Sequence, residues 1–151
     1  MTSRLDANRL APERRQAMAG LQAYVNRSGL EPALLELVKI RASQINGCAF
    51  CLAMHVRDAR QMGEDEERLD LLPAWREAPL YTARERAVLA WTEAVTLIAD
   101  GHVPDAVYAV ARQEFGEKKL VDLTYAVVAI NGWNRLAIAF RKRPEVAGAA
   151  A

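Results

Sequence analysis

Both cysteines of the chain and one of its two histidines lie close together, as Cys48, Cys51 and His55. They end the stretch ELVKIRASQINGCAFCLAMH that begins at Glu36. On a helix these three stand at i, i+3 and i+7, along one stripe. The Asn46-Gly47 pair is a break signal, which puts Cys48 close to a helix start. There the helix dipole and unpaired amides favour an anion, and a thiolate is an anion. A neutral imidazole one turn after Cys51 can take a proton from a thiol, and its cation then stabilises the thiolate. The chemistry on offer is that of a reactive dithiol with a built-in base.

Two other readings use the same residues. Free cysteine is often a small buried hydrophobe without reactivity. Alternatively Cys48, Cys51 and His55, with His102 or Glu36 as a fourth ligand, could bind zinc. Structural zinc sites usually draw ligand pairs from separate segments, and this chain has no second C-x-x-C or H-x-H pair. The helical wheel sets the trio beside Leu52, Ala59 and Met62 on the more apolar face, with Phe50, Ala53 and Arg57 opposite. Glu36 falls with Lys39 and Ser43 on the polar side of its own helix, a pattern that favours a solvated carboxylate. Arg41 and Arg57 read as helix-surface charges, and His102 as a residue of the Gly101-His102-Val103-Pro104 turn. Asn131, Trp133, Asn134 and Arg135 interrupt an apolar helix. Buried polar groups need partners, which these four would find in packing, across an interface or along a pocket.

The elements that must position these residues are all helical. The first helix runs from about Pro12 to Ser28, with proline suited to the first turn and Gly29 as the stop. The second runs from Pro32 to about Ile45, with Leu34, Leu37, Val38, Arg41 and Ile45 on one mostly apolar stripe. The third spans Cys48 to Met62 and ends at Gly63. A short acidic helix, Glu64 to Leu72, precedes an irregular link with Pro73 and Pro79. Thr82 and Glu85 form a capping box that opens the next helix. Its stripe Val88, Trp91, Val95, Ile98 continues until Asp100-Gly101. Pro104 starts a helix that ends near Gly116. The last helix, from about Glu117 to Arg141, is apolar on most sides and so central or at a subunit interface. The tail after Pro144 is alanine-rich and expected to fray. No segment alternates as a half-buried strand does. The expectation is an all-α fold of six to seven helices in one domain over residues 1–151, oligomeric.

The whole chain narrows the function further. About half of its 151 residues are apolar, enough for a core, and 20 lysines and arginines nearly balance 19 acidic residues. With the basic residues spread along the chain, neither nucleic acid nor an anionic membrane is an expected partner. The run Leu120 to Phe140 is too polar to span a bilayer. The N-terminus MTSRLDANRLAPERR lacks the apolar core of a secretory signal, so the expected compartment is the cytoplasm. A C-x-x-C pair there is more often redox-active or metal-binding than a structural staple. No glycine-rich dinucleotide or phosphate motif appears, and no cofactor or resident metal is expected.

The spacing E-x11-C-x2-C-x3-H, here Glu36, Cys48, Cys51 and His55, resembles the core motif of the AhpD-like alkylhydroperoxidases. That group lies within the carboxymuconolactone decarboxylase family. Cys51 to Arg60 is similar to the family's central helix, and Gly101 to Arg135 to the C-terminal half of its small members. The resemblance implies an all-helical AhpD-like fold assembled as a homotrimer or homohexamer. Its chemistry is reduction of peroxides by thiols, or electron transfer from a lipoyl-type dithiol to a peroxiredoxin. By that analogy Cys51 is the nucleophile that becomes a sulfenic acid, and Cys48 the proton donor and resolving thiol. His55 and Glu36 form a proton relay, against the solvated pattern of Glu36, and the relay is the assignment adopted. One position departs: well-studied members carry a histidine between the cysteines where this chain has Phe50.

Three activities remain open to these residues. The first is a dithiol peroxidase or disulfide reductase, reacting with a peroxide or disulfide and restored by a dithiol. The second is a redox-sensing or scaffold oligomer without turnover. The third is a lyase of the decarboxylase type, using His55 and Glu36 alone. By similarity that branch does not rely on a cysteine pair, so Cys48 and Cys51 argue against a lactone substrate.

Overall fold

The computed structural model describes residues 2 and 4–144; the tail beyond Pro144 lies outside them. Seven α-helices and one short 3-10 turn make up the fold, with no strand among the described residues. In chain order they are α1 (Ala7–Leu10), α2 (Glu13–Asn26), α3 (Pro32–Asn46), α4 (Ala49–Gln61), α5 (Glu66–Leu71), α6 (Ala83–Thr96) and α7 (Asp105–Ala139). The 3-10 turn, Leu72–Ala74, follows α5. No described helix is long and apolar enough to cross a membrane.

The element at the centre is α3. Eight of its 15 residues are buried, so it packs on more than one side. Leu34, Leu35, Val38 and Ala42 join Val88 and Trp91 of α6 and Leu123, Val127 and Ile130 of α7 in the larger core cluster. Leu37 and Ile40 face another cluster, with Leu69, Leu72, Trp75 and Leu89. At typical transfer energies each fully buried aliphatic side chain contributes about 1.5–3 kcal/mol, which is why this helix anchors the rest. Proline at the first turn starts α3, as expected. Gly47 ends it in the left-handed region at φ 68°, where a residue with a Cβ is strained.

The capping box of α6 forms as its sequence predicts: the Thr82 side chain accepts from the Glu85 N–H and Glu85 accepts from the Thr82 N–H. The expected apolar stripe does not run its full length. The helix stops at Thr96, and Ile98 lies 49% exposed beyond it. Asp100-Gly101 is therefore part of the following turn rather than the stop itself. Met62, placed on the apolar face by its wheel position, is also exposed because α4 has ended by then. Gly116 breaks α7 with φ 67° and ψ 178°, a conformation open to glycine, so the run divides where the sequence predicts two helices.

Several polar residues inside this core are matched between elements, whereas the buried Trp91 Nε1 has no hydrogen-bond partner among the described residues. The arginine read as a surface charge, Arg41, is half-buried and 2.7 Å from the buried carboxylate of Glu93. Glu93 also accepts from Trp75 Nε1 at 2.7 Å and pairs with Arg76 at 2.5 Å. Arg41 lies on the mostly apolar stripe of its helix, and the surface-charge reading fails because Glu93 of α6 supplies a buried partner there. Asp122, fully buried in α7, accepts from Tyr24 Oη at 2.6 Å and Lys118 Nζ at 2.7 Å, which ties α2 to α7. At Gly132 the same two helices come so close that an added Cβ would stand 2.9 Å from Met18 Cε.

Asn134 is wholly buried and holds the end of α3 against α7. Its Oδ1 accepts from Asn46 Nδ2 at 2.9 Å, and its Nδ2 donates to Ser43 Oγ at 3.0 Å. The Asn46 amide also donates to Asn131 Oδ1 at 3.0 Å. Replacing Asn134→Leu leaves Ser43 without this donor and Asn46 with one acceptor fewer. The expected cost is about 1–3 kcal/mol, the penalty for orphaned buried polar groups. A denaturant midpoint equal to that of the wild type would show that the clamp contributes nothing.

Candidate functional site

The corner between α3 and α4 builds the site. Cys48 sits at the N-cap of α4 in extended conformation, φ −85° and ψ 90°. Its N–H reaches back to the Ser43 carbonyl at 3.0 Å, and its Sγ accepts from the Cys51 N–H at 3.3 Å. One residue thus closes α3 and caps α4. The cap geometry brings the Cys48 and Cys51 Cα atoms to 5.3 Å, and the two are joined as a disulfide. Both are buried, at 1% and 2% exposure, in a small cluster with Ala137 of α7 and Phe50 packed against it.

The remaining two motif residues meet across the helix pair. His55 Nδ1 lies 3.0 Å from Glu36 Oε2, and Lys39 Nζ donates to Glu36 Oε1 at 2.6 Å. Glu36 is only 4% exposed, so the solvated position given by its wheel pattern is corrected. That pattern fails because α4 covers the side of α3 that the sequence marks as polar. Burial opposes ionisation of Glu36, but hydrogen bonds from His55 and Lys39 and their charge outweigh it. The carboxyl is held below the ordinary glutamate value. An ionised carboxylate can only accept, so Nδ1 of His55 donates to it and Nε2 is the ring nitrogen left to exchange a proton.

A cavity of about 870 Å³ opens onto this arrangement. Cys51 and His55 line it, together with Phe50 and Met54 of the same helix segment and Trp133 of α7. Cys48 does not reach it, and Glu36 stands behind His55. Among the other residues singled out, Trp133 belongs to the cavity wall, whereas Asn131 and Asn134 serve the α3–α7 clamp. His102 is exposed in its turn, away from the cavity. The sequence reading missed the N-terminal contribution, Arg4 to Ala7, because no periodicity marks so short a segment.

The zinc ligand set is not assembled. The sulfurs bond to each other, and the one group of three possible metal ligands among the described residues is Glu36, His55 and Asp58. Its ligand atoms lie within 4.8 Å of one another, but both Glu36 oxygens are already engaged.

With this geometry in hand, residues 11–94 match the carboxymuconolactone decarboxylase family model. The chain belongs to that family. YdfG of Bacillus subtilis, an uncharacterised protein, is 42% identical over 95% of this chain and 97% of its own length. A crystal structure of a protein of unknown function from Agrobacterium tumefaciens, proposed as an AhpD antioxidant defence protein, superposes with a TM-score of 0.94. It is 43% identical and covers 97% of this chain and 100% of its own. An uncharacterised peroxidase-related protein from Silicibacter sp. TM1040 follows with a TM-score of 0.78 and 26% identity. There 89% of this chain and 71% of the other are covered. The all-helical AhpD-like fold expected from the motif is therefore the fold observed.

Because the Glu36 carboxyl titrates below its ordinary value of 4.5, its ionised form stabilises the folded chain above that pH. That contribution fades as the pH falls from 4.5 through the lowered folded-state value. Glu36→Gln is expected to be less stable than wild type near neutrality, with the gap narrowing on acidification through that window. Thermal melts of both proteins across pH check this; a gap that stays constant would exclude the linkage.

Proposed function

We propose that the chain is a thiol-dependent peroxidase or disulfide oxidoreductase of the AhpD-like kind, acting in antioxidant defence. The observation that carries this reading is the asymmetry of its cysteine pair: Cys51 lines the cavity beside His55, while Cys48 is bonded to it from behind. In the reduced protein, the Cys51 thiolate attacks the terminal oxygen of a hydroperoxide. The O–O bond breaks, Cys51 becomes a sulfenic acid, and the alkoxide leaves as the alcohol after protonation by His55 or Cys48. The Cys48 thiol then attacks the Cys51 sulfur and expels water, giving the disulfide. An external dithiol returns both thiols by exchange and is itself oxidised to a disulfide.

Glu36 supports this cycle by holding His55 through Nδ1, which keeps Nε2 available for the proton. Phe50, between the cysteines, closes the cavity with an apolar ring and offers no second imidazole. The electron donor in this reading is a lipoyl-type dithiol, and the acceptor a peroxide, a disulfide or a peroxiredoxin. The chain would act as one domain over residues 1–151, in the cytoplasm, as a homotrimer or homohexamer. The exposed Val121, Tyr125 and Val128 on α7 support an assembly surface there.

The test is to treat the reduced protein with an alkyl hydroperoxide and weigh it intact. One intramolecular disulfide should form and be reversed by dihydrolipoamide; thiols that survive excess peroxide would sink the reading. Cys51→Ser should abolish turnover, and a lyase using His55 and Glu36 alone would keep its activity in that variant. Cys48→Ser should turn over no substrate and accumulate sulfinic acid at Cys51. His55→Ala should move the pH profile of Cys51 alkylation upward, and an unmoved profile would remove His55 from the mechanism.

A further inference from the structure

The cavity wall is chemically lopsided. Among the described residues lining it are Arg4, Arg14, Arg15, Lys39 and Lys142, against a single carboxylate, Asp6. The chain as a whole carries nearly equal numbers of cations and acids. A quarter of the cations but one acid therefore face this one space. Lys39 is matched by Glu36 behind the wall. Arg4 Nη1 donates to the Ala139 carbonyl, a bond that satisfies an N–H group without cancelling the charge, whereas Arg14 is already engaged, with its Nε on the Ala7 carbonyl. Lys142 holds its ammonium 3.9 Å from the centre of the Phe50 ring, and Arg15 is exposed.

The same cavity has an apolar wall of Phe50, Met54, Trp133, Leu136 and Phe140. The volume falls in the range of roughly 300–1,000 Å³ that accommodates small organic ligands. It far exceeds what hydrogen peroxide needs. A neutral alkyl peroxide would use the apolar wall and make no use of Arg4, Arg15 and Lys142. An organic molecule with an apolar body and an anionic end uses both.

We propose that this cavity selects organic hydroperoxides that bear a carboxylate. The apolar body lies against Trp133, Leu136 and Phe50, the carboxylate takes its place among Arg4, Arg15 and Lys142, and the peroxide group meets Cys51. This substrate class rests on the peroxidase reading, but the anion site can be measured without turnover. Arg4, Arg15 and Lys142 are exposed at the cavity rim, so their attraction for an anion acts through water and weakens as salt screens it.

Binding is measured first, by calorimetry on the full chain in its disulfide form, with para-isopropylbenzoate and the uncharged para-isopropylbenzamide. The carboxylate is expected to bind about tenfold more tightly. Arg15→Glu combined with Lys142→Glu, and separately high salt, should erase most of that preference. Equal affinities, or a preference indifferent to the charge reversal, would overturn the anion site. The reduced protein is then mixed with para-carboxy cumene hydroperoxide or its methyl ester, and the loss of thiols is followed. The acid should react faster, by about the same factor as the binding preference. Equal rates together with equal binding would end the carboxylate selectivity while leaving the peroxidase in place. Thiols untouched by either hydroperoxide would overturn the peroxidase reading and this substrate class with it, whatever the benzoates do.

Discussion

The turn at Asn46, Gly47 and Cys48 is the constraint on which the arrangement depends. A left-handed glycine lets α3 end and α4 begin without an intervening loop. Cys48 answers orphan groups on both sides, donating its N–H to α3 and offering sulfur to the first turn of α4. With the corner so short, the two helices must fold back on each other. That return lays His55 against Glu36, residues on different helices, at hydrogen-bond distance. The asparagines of α7 then fix the corner to the rest of the fold through Asn46.

Around this corner the buried polar groups divide the work of specification. Glu93, Asp122 and Asn134 each join two or more helices and each is satisfied by named donors or acceptors. Hydrophobic burial alone would allow α7 to slide or turn along α3, since its apolar surface is broad. A matched polar group permits one register, because any shift leaves it unpaired in the core. The net stabilisation from each is modest, on the order of 1 kcal/mol per bond. Their larger effect is to penalise wrong packings.

Much of this was legible in the sequence for local reasons. Pro32, Gly47, the Thr82–Glu85 box and Gly116 act through backbone geometry within a few residues, and each marks the boundary or break it predicts. The spacing from Glu36 to His55 pointed to residues that the fold brings together, since it encodes two helix faces and one corner. The failures have separate physical causes. Glu36 looks solvated on a wheel because a wheel knows only its own helix and α4 is not visible to it; Arg41, on the mostly apolar stripe, reads as a surface charge because its partner Glu93 lies on another helix. Ile98 continues a 3.6-residue pattern past the point where the backbone has left the helix. The N-terminal wall of the cavity escaped notice because it is defined by where α7 ends, through the Arg4 bonds to Ala139 and Phe140.

The burial of Cys48 behind its partner has a regiochemical consequence. On the redox reading, a reductant thiolate arriving through the cavity meets the Cys51 sulfur, the member of the pair that lines the wall. The mixed disulfide then forms on Cys51, and Cys48 is the leaving group, released at the N-terminus of α4 where a negative sulfur is stabilised. Peroxide and reductant therefore dock at one atom from one side, and cannot occupy it together. On that reading the two half-reactions alternate, as in a ping-pong cycle, and a well-fitting alcohol product would hold the reductant off until it departs.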